Sequence, residues 1–109
     1  MNFEKLTIVE SDSELSNFAR ALAIPVRIAI IRILIINGTW VAPDVFAELQ
    51  LGTVTIDRHL KAMVLLKIIK EKHYNRKIYY SINEAIFIKI SNEFMALFNF
   101  FKTSCVKPE

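Results

Sequence analysis

Hydrophobic positions along this chain recur at two periods, and the change between them divides it into helical ends around a short extended segment. Ser11 and Glu14 stand at capping-box spacing, which predicts a helix from Ser11 to about Ala23. Pro25 ends that helix and suits the first turn of another. The stretch from Pro25 to Asn37 reads PVRIAIIRILIIN and is followed by Gly38. Its β-branched density suits a strand, and Asn-Gly is a hairpin signal. Against that, Arg27 and Arg32 would lie on opposite faces of a strand, and a leading proline with a trailing glycine suits a helix. The pattern favours helix without closing the alternative.

Thr39 to Ala42 is an extended link. Pro43 opens a short helix to Gln50 with Val45, Phe46 and Leu49 on its inner side, and Leu51-Gly52-Thr53 is a tight turn. From Val54 to Leu66 a further helix carries Ile56, Leu60, Met63 and Val64 on one face. Its other face presents Val54, Asp57, Arg58 and Lys61. Two short helices joined by a glycine-containing turn form the helix-turn-helix pattern. After Lys67 the period falls to two. Ile69 to His73 and Lys77 to Ile82 flank Tyr74-Asn75-Arg76, a hairpin with a basic tip.

The last helix, Glu84 to about Lys102, is apolar over most of its circumference. Ile86, Phe87, Ile90, Phe94, Leu97, Phe98 and Phe101 leave a polar stripe at Lys89, Asn92 and Asn99. One small domain cannot cover so wide a face, so these residues are expected to form a homodimer interface, with the first helix packed beside them.

Composition sharpens this reading. At 109 residues the chain is one domain, and its 53% hydrophobic content needs a partner surface. A membrane is the less suitable partner: Arg27 and Arg32 interrupt the richest apolar run, and Lys89 and Glu93 the Phe-rich one. The acidic start lacks a signal peptide's basic and apolar regions, and Cys105 is the single cysteine. A reduced, cytoplasmic protein is expected.

Net charge is +3, unevenly spread. Residues 1–19 hold one Lys and four acids, a net of −3. Residues 53–83 hold seven Lys or Arg against Asp57 and Glu71, a net of +5. Such a basic block is the footprint of a nucleic-acid face, although a solvated lysine surface has the same composition. Catalytic chemistry finds no support: no Ser/His/Asp set, paired carboxylates or Gly-rich phosphate loop is present, and glycine occurs only at 38 and 52. No enzyme activity and no cofactor are expected. His59 and His73 have no second metal ligand at helical or hairpin spacing.

The residues resemble the ArsR/SmtB family of small bacterial repressors in three blocks. Ala21 to Ile28 is similar to its opening "ALADPTRL" pattern. Leu49-Gln50-Leu51 through Asp57-Arg58-His59-Leu60-Lys61 is similar to its turn and recognition helix. Asn75 to Asn83 is similar to its "GRWVYYRLN" wing. Together they span roughly residues 20–100, and the RHLK and YYxxN blocks at correct spacing are the specific part.

The resemblance implies a mainly α winged helix-turn-helix fold, with about five helices and a two-stranded β-hairpin wing, dimeric through terminal helices. It makes residues 1–109 a single domain, with the helix-turn-helix at about 43–66, the wing at about 68–83 and the dimerisation helix at about 84–102. It also settles the second element as helix. The implied function is a sequence-specific, homodimeric DNA-binding transcriptional regulator acting as a repressor in a bacterial cytoplasm. Double-stranded DNA would meet Thr53, Val54, Asp57, Arg58, His59 and Lys61 in the major groove, and Asn75, Arg76 and Lys77 on the flanking backbone.

Several positions qualify that inheritance. Gly52 stands where the family has a capping Ser, which leaves Thr53 as the substitute cap. Ile24 replaces a capping Asp. Asp57 puts an acid on the DNA face, where pairing with Lys61 four residues on is the simpler role and reading cytosine the alternative. His59 suits either a phosphate contact or a half-buried packing role. The family's metal-sensing patterns are missing: Trp40-Val41-Ala42-Pro43 replaces Cys-x-Cys, and the last helix lacks the Asp-x-His arrangement. No metal site is therefore expected, while an unknown small-molecule effector stays compatible. Trp40 suits packing better than a ligand pocket, and Tyr80 suits the core. A winged-helix protein-interaction module that does not bind DNA is the competing function.

Overall fold

The computed structural model describes residues 7–104, so the expectations attached to the first six residues and to Cys105 lie outside the described residues. In chain order the elements are α1 (Glu10–Ala21), α2 (Pro25–Asn37), a 3-10 helix (Pro43–Leu49), α3 (Thr53–Leu65), β1 (Ile69–Tyr74), β2 (Lys77–Ile82) and α4 (Glu84–Ser104).

α1 starts one residue before the expected Ser11, because a different acid turns back to cap it. Asp12 Oδ2 accepts the Val9 N–H at 3.0 Å, while the Asp12 N–H donates to the Val9 carbonyl at 3.0 Å. A valine side chain has no acceptor, so only the backward half of a capping box forms. Glu14 instead receives Lys89 Nζ of α4 at 2.7 Å.

α2 is a helix. Pro25 occupies its first turn, and Gly38 closes it at φ +71°, donating to the Leu34 carbonyl at 3.0 Å. Only glycine adopts that backbone without a Cβ penalty. Ile30, Ile31, Ile33 and Leu34 are buried, and the helix packs on β2 and the 3-10 helix. A strand would have sent half of those side chains outward.

The segment after Pro43 departs from expectation in detail. It winds as a 3-10 helix ending at Leu49, and Gln50 takes a left-handed conformation at φ +57°. The connection to α3 is therefore Gln50-Leu51-Gly52, one residue earlier than expected. Gly52 is the N-cap of α3 and no side chain caps it; Thr53 lies inside the first turn and does not take over that role. The C-terminus of α3 is better closed. Lys67 turns left-handed at φ +63°, its N–H donates to the Val64 carbonyl at 2.9 Å, and the Ile68 N–H donates to the Met63 carbonyl at 3.0 Å. These two bonds are a Schellman closure, accompanied by burial of both Met63 and Ile68.

β1 and β2 are antiparallel, with Ile69 opposite Ile82 and Tyr74 opposite Lys77. Tyr74 is thus the last paired residue rather than part of the tip. The loop contains only Asn75 and Arg76, at φ +48° and +65°, the two positive values that a type I′ hairpin turn requires. Val41 adds a one-residue third strand, exchanging both backbone bonds with Tyr80 at 2.9 Å.

One core joins these elements, built on Phe18, Ile30, Leu34, Phe46, Leu60, Met63, Ile69, Tyr80 and Ile90 among others. α1 lies against α4, where Phe18 meets Phe87 edge-on with ring centroids 5.2 Å apart. Among the described residues, no helix is long and apolar enough to cross a membrane.

Candidate nucleic-acid interface

The inner face of α3 is fixed by Ile56, Leu60 and Met63, all buried against the core. The side opposite that face points outward. Thr53, Val54, Arg58 and Lys61 are exposed, and Val54 keeps 71% of its surface. Asp57 is half-buried and receives Lys61 Nζ at 3.0 Å, the i, i+4 pairing that the spacing allows. Both partners are largely solvated, so the pair holds orientation more than it holds the fold.

His59 is not free. Its Nδ1 accepts a hydrogen bond from Arg27 Nε at 3.1 Å, tying α3 to α2, while Arg27 also reaches the Ala21 carbonyl at 3.5 Å. Partial burial, followed by the nearby charges of Arg27 and then Arg58, lowers the pKa of His59 from its ordinary value. The imidazole is therefore held neutral, with its acceptor nitrogen already engaged. The packing role fits this placement better than a free phosphate contact. Arg27 has no part in the expected interface; its alternation with Ile28 and Ile30 gave no sign of a long-range partner 32 residues away.

The wing is set by its two ends. At the base, the Asn83 N–H donates to the Ile68 carbonyl at 3.1 Å and its side-chain amide to the Lys67 carbonyl at 2.8 Å. Asn83 thus clamps the strand that leaves the hairpin to the turn that enters it. At the tip, Asn75, Arg76 and Lys77 are all exposed. Tyr80, by contrast, is 1% exposed. Burial, with Asp57 and Glu71 behind it, raises its phenol pKa and keeps it neutral.

Lys70 and Lys72 are positive groups outside the expected interface. Register puts them on one face of the sheet with Tyr79, and their ammonium groups lie 5.7 and 4.8 Å from the centroid of the Trp40 ring. Trp40 therefore packs beneath wing lysines rather than between helices. The alternating Lys70-Glu71-Lys72 was the available signal, but nothing in it announced the indole.

The expected dimer face divides in two. Ile90 is buried in its own chain, and Ile86, Phe87 and Phe94 pack against that same core. Leu97, Phe98 and Phe101 remain more than half exposed, joined by Met95 and Phe100, which fall outside the expected set. Phe94 and Phe98 stack with centroids 6.0 Å apart, linking the covered part of α4 to the uncovered part. Among the described residues, no three His, Cys, Asp or Glu side chains converge as a metal-ligand group.

No protein-family model matches the chain, and no curated protein matches it. Solved structures do. An ArsR-like transcriptional regulator from Rhodococcus sp. RHA1 superposes with a TM-score of 0.75 at 19% identity, covering 89% of this chain and 88% of that one. NolR from Sinorhizobium fredii gives 0.61 at 21% identity, over 89% and 93%. A homodimeric winged helix-turn-helix DNA-binding domain from Mycobacterium bovis gives 0.61 at 15% identity, over 88% and 89%. The fold is thus a winged helix-turn-helix, mainly helical with a two-stranded hairpin wing.

Proposed function

We propose that the chain is an ArsR-type, homodimeric DNA-binding transcriptional regulator, a binding protein with no reaction of its own. The observation that carries this reading is the outward face of α3. Ile56, Leu60 and Met63 are buried, yet Val54, Arg58 and Lys61 stay in solvent on the opposite side, and the wing carries a basic tip. That is the arrangement by which such folds put one helix into the major groove and a hairpin along the backbone. The homodimeric state of the Mycobacterium bovis domain supports pairing of this chain, and the exposed half of α4 offers the surface for it. Two α3 helices related by a two-fold axis would then meet successive major grooves about one helical turn apart. Action as a repressor belongs to the same proposal.

The test is a salt titration of binding to a mixed-sequence duplex, followed by selection of preferred sites. Affinity should fall steeply as salt rises, because phosphate binding releases counterions. Arg58→Ala should cost about 1–3 kcal/mol and relax preference at one base position. Binding that ignores both salt and Arg58→Ala would hand the face to a protein partner instead.

A further inference from the structure

The 3-10 helix and α3 do not close on each other. Between them lies a cavity of about 350 Å³, lined by Pro43, Asp44, Phe46, Ala47, Leu51, Thr53, Ile56, Asp57 and Leu60. Helical spacing explains the lining. A 3-10 helix repeats every three residues, so Pro43 and Phe46 form one column and Asp44 and Ala47 another. Across the gap, Thr53, Ile56, Asp57 and Leu60 are the i, i+3, i+4 and i+7 stripe of α3. The methyl of Ala47 is too short to bridge between them.

The cavity is amphipathic in depth. Phe46, Ile56 and Leu60 form its floor at 1%, 5% and 1% exposure. Asp44 and Thr53 are exposed and Asp57 half-buried, so both carboxylates sit toward the mouth. No Lys, Arg or His lines it. The volume lies in the range of small-molecule sites, and the mix of an apolar floor with few polar groups is theirs too. Charge decides the class of occupant. Two acids over a greasy floor repel anions and leave their charge uncompensated by a neutral ligand, whereas an ammonium on an apolar body satisfies both.

We propose that this cleft binds a small apolar organic cation, an arylalkylamine in chemical class, whose ammonium group meets Asp44 and Asp57. Asp57 is the coupling point. Its present partner, Lys61, is held at 3.0 Å by an exposed and therefore weak pair. A ligand ammonium that takes Asp57 keeps that acid neutralised and releases Lys61 to face phosphate. Occupancy thus strengthens binding to phosphate, a consequence that rests on the DNA reading above, whereas the site itself does not.

The test uses the full chain and three probes that share a phenylethyl body: phenethylamine, 2-phenylethanol and 3-phenylpropanoate. Binding without DNA is read from amide chemical shifts. Phenethylamine should saturably shift Ala47, Leu51 and Ile56 and bind about tenfold tighter than 2-phenylethanol, with no binding of the carboxylate. Asp44→Asn combined with Asp57→Asn should erase the preference for the amine while keeping the alcohol's affinity. Ala47→Met, which fills the cleft, should abolish both. Equal affinity for the three probes, or shifts that map elsewhere, would overturn the site; so would an amine preference that survives the Asn pair in a folded variant. Saturating phenethylamine should then tighten binding to a mixed-sequence duplex several-fold in the parent and not in Lys61→Ala. Unchanged or weaker DNA binding would overturn the coupling alone. A chain that binds the amine but no duplex would sink the DNA reading and leave the site standing.

Discussion

α3 and the C-terminal half of α4 carry apolar residues at similar density, yet they meet opposite fates. Ile56, Leu60 and Met63, at every third or fourth position of α3, are buried in the core. The two threonines of its first turn, Val54, Arg58, Lys61 and the terminal Leu65 stay exposed. In α4, burial stops at Ile90, and beyond Phe94 every described side chain is exposed. The difference is one of available neighbours. α3 has the 3-10 helix and β1 packed along it, whereas α4, at 21 residues, outruns the 12-residue α1 that covers it. In the proposed homodimer, this bare apolar end is the surface that a second copy would cover.

Breaking that contact gives the largest expected effect. Phe98 and Phe101 are 55% and 57% exposed in the single chain, so glutamates there remove no core residue from the protomer, although Phe98 gives up its stack on Phe94. In a dimer each would forfeit about 1.5–3 kcal/mol of burial and place a charge in an apolar seam. Phe98→Glu with Phe101→Glu should therefore raise the dimer dissociation constant by about a thousandfold or more. Sedimentation at micromolar protein would show folded monomers. A dimer indistinguishable from the parent would remove α4 from the interface.

The same contrast explains what could be read in advance. Element order was legible from the change of period and the hairpin residues. The type of the second element was not, since Pro25 and Gly38 pointed to a helix while the β-branched run and Asn37-Gly38 pointed to a strand. The Asp57–Lys61 pair was legible because it is local. Contacts that depend on distant packing were not. Glu14 looked like a cap until Lys89 claimed it, and the choice between a phosphate contact and a packing role for His59 turned on Arg27, 32 residues away. The division of α4 was hidden for the same reason: periodicity shows which face is apolar but not where the covering helix ends. The cleft beside Ala47 was beyond reach, since it depends on 3-10 rather than α winding.

At the wing, sequence chemistry conflicts with geometry in one place. Arg76 sits at φ +65°, where a β-carbon is crowded and glycine is preferred. Strain held at an exposed basic tip is the pattern expected of a residue kept for binding. Arg76→Gly should stabilise the fold by about 1 kcal/mol, raising the unfolding midpoint, while weakening duplex binding evenly across sequences and flattening its salt dependence. Gains in both stability and affinity would show that the arginine has no role at DNA.

A smaller effect should appear with pH at the α2–α3 contact. The folded state lowers the His59 pKa below its unfolded value near 6.5. Below that pH the unfolded chain takes up the proton first, so this contribution to stability is present above about 6.5 and lost as pH falls. Thermal unfolding compared at about pH 7.5 and about pH 5.5 should show a drop in the parent. That drop should shrink in His59→Gln, whose amide oxygen can accept from Arg27 without titrating. An equal drop in both proteins would assign the pH dependence to other groups.

The smallest effect concerns the start of α3. Gly52 caps the helix with its backbone at φ −62° and ψ 148°, an extended conformation open to any residue, and no side chain satisfies the free N–H groups of the first turn. A β-carbon added there would meet nothing within 4 Å. Serine can therefore enter without strain, accept from an N–H of the first turn and narrow the unfolded ensemble. Gly52→Ser should stabilise the protein by about 0.5 kcal/mol, or about 3 °C in the midpoint for a chain of this size. Because α3 is already locked by its buried face, the gain should come with unchanged dimerisation and no loss of duplex affinity. A destabilised variant would mean that the turn from Gln50 to Gly52 needs glycine's freedom, and that the cleft it borders is held open by a mobile connection rather than by the packing of Phe46, Ile56 and Leu60.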